Sequence, residues 1–330
     1  MPAVQTIDVI EDENGQRLDR WLRKRFPGLT QGRLEKLLRT GQVRVDGGRA
    51  KANSRLEAGQ KVRIPPLPDE ALKAPSKAEA AVPTKRERQK LEDSVLYEDE
   101  DVLVVNKPAG LATQGGTGIS RHLDGFLRAI YGEKQRPKLV HRLDKDTSGV
   151  LVLARNDFAA AKLSESFRGR DTRKYYWALV SGTPKPKQGK ISLALNKGKE
   201  GKMFPDEEEG KRAVTLYQVV ENAMRASFVA LWPLTGRTHQ LRVHMQQIGT
   251  PILGDPLYSS EENELSGEIS VKRLHLHARR LIIPHPRPKK GRKVIDVTAP
   301  LPADLKQSWK FFEFPEDDGD PFASYGDEIK

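Results

Sequence analysis

The feature that most constrains this chain is a polar stretch at residues 66–93, PLPDEALKAPSKAEAAVPTKRERQKLED, through which no apolar core can run. It is rich in Pro, Ala, Lys and Glu and has almost no large apolar residue, so it reads as a semi-extended linker. The chain therefore divides into an N-terminal arm at 1–16, a small module at 17–65, a larger domain at 94–311 and a tail at 312–330. Each of the two globular parts must build its own core.

In the small module, Leu18, Trp21, Leu22 and Phe26 recur at helical spacing, and Pro27-Gly28 ends that helix. Thr30 caps a second helix in this reading, with Leu34, Leu37 and Leu38 as its buried stripe and Gly41 at its C-terminal end. Val43 and Val45 alternate with polar residues, Asp46-Gly47-Gly48 makes a turn, and Lys61-Val62-Arg63-Ile64 reads as a closing strand. Two short helices and a small sheet bury little. They do project Arg20, Arg23, Lys24, Arg33, Lys36 and Arg39 from the helix surfaces.

Charge follows the same division. Residues 17–63 hold 14 Lys and Arg against 4 Asp and Glu, within a chain of net charge +12, whereas residues 313–330 hold seven acids and one lysine. A basic block beside an acidic tail suggests a polyanion partner, with a merely solvated basic surface as the alternative. The 330-residue chain has no cysteine, which excludes disulfides, thiol catalysis and thiolate metal sites. No apolar run approaches the roughly 18 residues of a membrane helix. The acidic start MPAVQTIDVIEDENG lacks the form of a signal peptide, so the expected address is the bacterial cytoplasm.

In the larger domain, apolar runs at 101–106, 150–154, 174–181, 213–220, 227–232, 279–283 and 294–298 read as strands. Helical patterns at 157–168 and 238–248 interrupt them. Many short strands and few helices give an α+β fold around a mixed, largely antiparallel sheet.

Three segments carry candidate chemistry. In LVHRLDKDTSGVLVLAR (139–155), a polar loop holding Arg142, Asp144, Lys145 and Asp146 is fixed at both ends by strand-like backbone, which suits a reactive side chain and equally suits a capped turn. In LTGRTHQLRVHMQQIG (234–249), Arg242 can reach a carboxylate on a neighbouring loop or lie on a solvated helix face. His239 and His244 are five residues apart and point to different faces, which argues against a shared metal. In RKYYWALV (173–180), one face of the strand must be core, and Tyr175 or Tyr176 must find a polar neighbour for its hydroxyl. The loop TQGGTGIS (113–120) matches no phosphate-binding pattern.

The run HRLDKDTSG at 141–149 resembles the signature of the bacterial RluA-type pseudouridine synthases. NKPAG (106–110), KYYWALV (174–180), TGRTHQLRVH (235–244), GTPILGDPLY (249–258) and RLHLHA (273–278) follow in that family's order. The N-terminal block is similar to an S4 domain, an RNA-binding module, so the likeness spans about residues 17–300. One departure is Gln114, which stands where many members have His. The resemblance says nothing of the acidic tail.

This resemblance implies isomerisation of uridine to pseudouridine in 23S rRNA of the large ribosomal subunit, by a monomer that uses no cofactor and no metal. It implies that Asp144 is the essential aspartate, that Tyr176 lies against the target base, and that Arg242 pairs with the aspartate. Arg142 is implied to occupy the space that the flipped nucleotide leaves, and the six basic S4 residues to hold RNA. Such chemistry suits one carboxylate in a dry pocket, because a second that delivered water would hydrolyse the glycosidic bond. Two rivals are a non-catalytic RNA-binding protein and a glycosidase using Asp144 with Asp146.

Overall fold

The computed structural model describes residues 4–68, 71–72, 81–116, 118–169, 171–198, 201–223, 225–259, 273–289 and 292–323. The chain forms two compact units, Met1–Glu79 and Ala80–Lys330.

The first unit contains β1 (Gln5–Asp8), α1 (Leu18–Arg25), α2 (Gln31–Arg39), β2 (Arg44–Val45), β3 (Gly48–Arg49) and β4 (Lys61–Ile64). Its sheet runs β1-β4-β2-β3, so the N-terminal arm supplies an edge strand, with Gln5 opposite Ile64. The apolar stripes of both helices meet in one core around Trp21, which is fully buried. Its indole donates to Glu13 at 2.7 Å, and Arg25 donates to the same carboxylate while lying 4.4 Å over the Trp21 ring. Truncating a buried tryptophan costs about 3–5 kcal/mol, a large part of what so small a unit can hold. Asp46 and Gly47 both adopt positive φ, which the tight β2–β3 turn requires.

The second unit opens with α3 (Lys85–Glu92), which falls within the segment read as linker. Thr84 caps this helix reciprocally with Glu87, and Leu91 is buried in the unit's core. One apolar residue in a run of charges carries no readable period, yet it decides where the helix docks.

The rest follows in the order β5 (Val95–Glu98), β6 (Val102–Lys107), α4 (Leu123–Gln135), β7 (Lys138–Leu139), β8 (Ser148–Ala154), α5 (Asp157–Arg168), β9 (Arg173–Ser181) and β10 (Gln188–Lys197). It continues through β11 (Met203–Pro205), β12 (Lys211–Asn222), β13 (Ala226–Pro233), α6 (Gln240–Gln247), β14 (Leu276–Lys289), β15 (Arg292–Thr298) and α7 (Ala303–Phe311). The strands form one sheet ordered β11-β10-β12-β13-β9-β14-β8-β6-β5, with β15 on β14 and β7 on β8. Pairing is antiparallel except between β14 and β8. The fold is the mixed, largely antiparallel α+β architecture expected from the strand pattern.

Every residue of β8 is buried, because Val150 and Val152 face one core while Leu151 and Leu153 face another. A strand covered on both faces reads as the continuous apolar run VLVLA. Gly149 permits the parallel approach to β14: at φ 116° a Cβ there would lie 2.2 Å from the Ala278 carbonyl oxygen.

The acidic segment after α7 packs against β9. Phe314 and Phe322 are buried, Trp177 donates its indole N–H to Asp318 at 2.6 Å, and Phe322 stacks on Tyr175. Residues 324–330 of the acidic tail lie outside the described residues.

Candidate active site

Asp144 sits in the loop from β7 to β8, and buried polar groups fix that loop from below. Thr113 donates its hydroxyl to the Leu143 carbonyl at 2.6 Å and accepts from the Leu143 amide at 3.2 Å. Leu143 itself is buried among Leu103, Leu123 and Leu151. Lys107, fully buried, donates to the carbonyls of Pro108 (2.8 Å), Leu111 (2.8 Å) and Lys145 (3.1 Å). Burial pulls its pKa down to about 7, while the charges of Asp146 and Asp144 favour the ammonium, which three carbonyl acceptors suit. Thr113 and Lys107 lie in the segments TQGGTGIS and NKPAG, but neither is singled out as a site residue by the sequence. A lysine in a short apolar strand looks like a solvated end, and burial is what gives it a role.

Strand alternation assigns the aromatics of β9. Tyr175 and Trp177 face the side covered by the C-terminal segment, while Tyr176 faces the Asp144 loop. Burial and then the negative charge of Asp144 push the Tyr176 phenol above its ordinary value. At neutral pH it is therefore a protonated phenol with a ring face to offer, and no base.

Arg242 lies on α6 with 4% of its surface exposed. Its guanidinium grips Asp255 with two bonds, Nε to Oδ2 at 2.7 Å and Nη2 to Oδ1 at 2.6 Å. This corrects the expected pairing with Asp144: the fork is occupied by Asp255, and the charge of Asp144 is a lesser influence that also helps hold Arg242 protonated. The reason is local. Asp255 is fixed by the backbone amides of Leu257 and Tyr258 in the GDPLY turn, which points its carboxylate at α6. Gln240 fixes the start of the same helix. Its carbonyl oxygen accepts from Thr235 and Arg237, and its amide nitrogen donates to Val214 and Thr215. His239, at the N-cap, adopts a left-handed φ of 50° and meets the Tyr258 hydroxyl through Nδ1 at 3.0 Å.

Asp144, Tyr176, Arg242 and Arg142 all line one cleft of about 1070 Å³. Asp144 is the one carboxylate among the described residues that line it, and Asp146 is not among them. Arg142 is exposed at the cleft edge. The other six expected site residues, Arg20, Arg23, Lys24, Arg33, Lys36 and Arg39, lie on α1 and α2 of the first unit, and all are exposed. Arg17 and Arg25 of the same basic block are instead tied to Asp19 and Glu13. Among the described residues no group of three or more His, Asp or Glu is placed to hold a metal ion. His275 bridges the Leu253 carbonyl and Ser308, and His277 bridges Ser148 and the Ala299 carbonyl, so both are structural.

Comparison with known proteins agrees with this geometry. Residues 101–247 match the RNA pseudouridylate synthase family and residues 16–62 match the S4 domain. The chain is similar to ribosomal large subunit pseudouridine synthase C of Vibrio cholerae serotype O1, with 36% identity over 92% of this chain and 96% of that protein. It is 38% identical to the protein of the same name from Escherichia coli K12, over 93% of this chain and 96% of that one. Among solved structures it resembles human RNA pseudouridylate synthase domain containing 4, with a TM-score of 0.56 and 31% identity, over 68% of this chain and 95% of that one.

Proposed function

The chain belongs to the RNA pseudouridylate synthase family, and from that premise we propose that it isomerises uridine to pseudouridine in 23S rRNA of the large ribosomal subunit, with Asp144 acting on the ribose. The observation that carries the proposal is a cleft whose described lining has a single carboxylate, set on a clamped loop opposite Tyr176. The reaction breaks the N1–C1′ bond of uridine and joins C5 to C1′, so N1 gains a proton and C5 loses one. A stacked base is out of reach and must be flipped into the cleft, at a cost of a few kcal/mol.

One carboxylate suffices to act at the sugar while the base turns. Leu143 and Leu276 keep that part of the cleft apolar, which favours return of the base over attack by water. The protonated Tyr176 ring stacks against uracil. Arg242, locked to Asp255, presents a fixed positive charge in the same cleft as Asp144. Arg142 takes the space left in the RNA by the flipped nucleotide. Arg20, Arg23, Lys24, Arg33, Lys36 and Arg39 hold phosphates elsewhere on the rRNA.

The relatives' names point to the large ribosomal subunit, from which 23S rRNA is inferred as the substrate. Action as a monomer in the bacterial cytoplasm belongs to the same proposal. No helix among the described residues is long and apolar enough to cross a membrane. The glycosidase alternative loses its second carboxylate, because Asp146 does not line the cleft.

The test is tritium release from rRNA carrying 5-tritiated uridine. The wild-type chain releases tritium and leaves a C–C nucleoside. Asp144→Asn, which keeps shape and removes charge, should lower the rate by at least about a thousandfold, as for other catalytic side chains that act as a unit. A variant within tenfold of wild type would remove Asp144 from the reaction.

A further inference from the structure

The cleft is far larger than one nucleotide base needs, and its charge is one-sided. Around Asp144 stand Arg142, Arg168, Lys174, Lys190, Arg212 and Arg237. Some exposed cations elsewhere on this unit are tied to carboxylates, as in Arg155–Glu98, Lys162–Glu165, Arg280–Asp296 and Lys306–Glu316. Arg168, Lys190 and Arg212 are exposed, and none of them makes an ion pair among the described residues. Cations held at a cleft without counter-charges are set for an anion that comes from outside.

Their placement is specific. Lys190 on β10 lies opposite Leu216, and Arg212 on β12 lies opposite Ala194, so both project from one face of the same ribbon. They are offset by four residues of strand, about 13 Å, which leaves room for more than one phosphate of an extended chain. Arg168 ends α5, beside Phe167, whose ring stacks on His141 at 4.2 Å and also lines the cleft. Sheet order puts β9, with Tyr176, between the two groups: β10 and β12 lie to one side, and β14 and β8, on which α5 packs, lie to the other.

We propose that the cleft continues on both sides of the uridine pocket as a groove for single-stranded RNA, with Lys190 and Arg212 taking phosphates on one bank and Arg168 with Phe167 holding the strand on the other. A cationic groove with an interleaved aromatic ring is what a single strand recognises, since every base has a face to stack and every nucleotide a phosphate. The groove rests on the reading of the chain as an RNA-modifying enzyme and adds which residues hold the nucleotides that flank the target. It is a binding surface distinct from the exposed cations of the first unit.

The test uses the full-length chain and a 23S rRNA transcript carrying 5-tritiated uridine. Lys190→Gln/Arg212→Gln should raise KM about tenfold and lower kcat by much less. It should also make the log–log salt dependence of binding shallower by about 1.4, at roughly 0.7 for each phosphate of a single strand that is no longer neutralised. Lys190→Arg/Arg212→Lys should restore the wild-type slope, because charge and not shape holds the phosphate. Lys306→Gln, whose cation is already paired with Glu316, is the control and should leave the slope unchanged. An active wild type with an unchanged slope and KM in the double variant overturns the groove and leaves the assigned reaction standing. A wild type that releases no tritium removes the reaction itself, and the groove with it.

Discussion

The two units hold their functional side chains in opposite ways. In the first, α1 and α2 turn Leu and Trp inward to a core and so cannot avoid presenting Arg20, Arg23, Lys24, Arg33, Lys36 and Arg39 outward. Each cation there is long, solvated and replaceable. In the second, the Asp144 loop and α6, which bring Asp144 and Arg242 to the cleft, are pinned by buried polar groups. Thr113 and Lys107 hold the Asp144 loop, and Gln240 and Asp255 hold α6. The difference teaches that RNA capture tolerates loose placement because phosphates are many, whereas the reacting atom of one sugar demands a position fixed to a fraction of an ångström.

The contrast is broken most directly at the Arg242–Asp255 pair. Arg242→Met leaves a buried carboxylate without its partner and should cost about 3–5 kcal/mol in urea unfolding. Replacing both partners, Arg242→Met/Asp255→Asn, should recover part of that stability, because the amide oxygen still accepts from Leu257 and Tyr258, without recovering turnover. A single variant as stable as wild type would show that α6 is not held by this pair.

Truncation tests whether the units are separable. Deleting residues 1–79 should leave a folded, cooperative second unit, because its core contains no residue from before Leu91. Deleting through residue 93 also removes Leu91 from that core, and should lower the unfolding free energy by at least about 2 kcal/mol relative to the shorter deletion. Equal stability of the two truncations would make α3 part of the linker after all.

Buried polar groups should also give the second unit an acid weakness. His244 is fully buried, neither ring nitrogen has a hydrogen-bond partner among the described residues, and burial lowers its pKa from 6.5 to about 4. The unfolded chain then binds more protons than the native one between those values, so stability is lost as pH falls through that window and is unaffected above it. His244→Leu should be about as stable as wild type at pH 7.5 and roughly 2 kcal/mol more stable at pH 5. Thermal melts that run parallel at both pH values would refute this.

The smallest effect belongs to the first unit. Arg23→Gln should change stability by no more than about 0.5 kcal/mol. It should reduce the salt slope of rRNA binding by roughly 0.7–0.9, the share of one phosphate. A variant that binds with the wild-type slope would mark Arg23 as ordinary solvated surface.

Much of the fold was legible because its strands carry apolar runs and two of its helices carry clean periods. The expected helix at 157–168 coincides with α5, and the runs at 150–154 and 227–232 fall within β8 and β13. Other elements gave weak signals. α4 starts from a histidine cap and is interrupted by Gly132 at φ 73°, and α7 buries only Leu305 and Trp309 of its apolar residues. β10 does alternate, with Ile191, Leu193 and Leu195 at every second residue, but is not among the runs read as strands. Asp144, Tyr176, Arg142 and Arg242 do meet in one cleft, as the family resemblance implied. The partner of Arg242 was illegible, since two carboxylates in different loops compete for one guanidinium and only turn geometry decides between them. Lys107, Thr113 and Gln240 matter through their buried surroundings, which no local pattern reports.

The parallel pairing of β8 with β14 has a kinetic consequence. It joins segments as far apart as Ser148 and His277, which are 129 residues apart along the chain, directly after the Asp144 loop. Pairings at such separation bear the greatest loop-closure entropy and form late in the search for the native state. Hairpins such as β12–β13 close early, so a partly assembled sheet exists before the Asp144 loop has a fixed end. The Asp144 loop is thus the part of the cleft whose fixing carries the largest loop-closure cost. A Cβ at Gly149, aimed at the Ala278 carbonyl, would obstruct that final closure, and its first symptom would be a slow refolding phase in an otherwise correct chain.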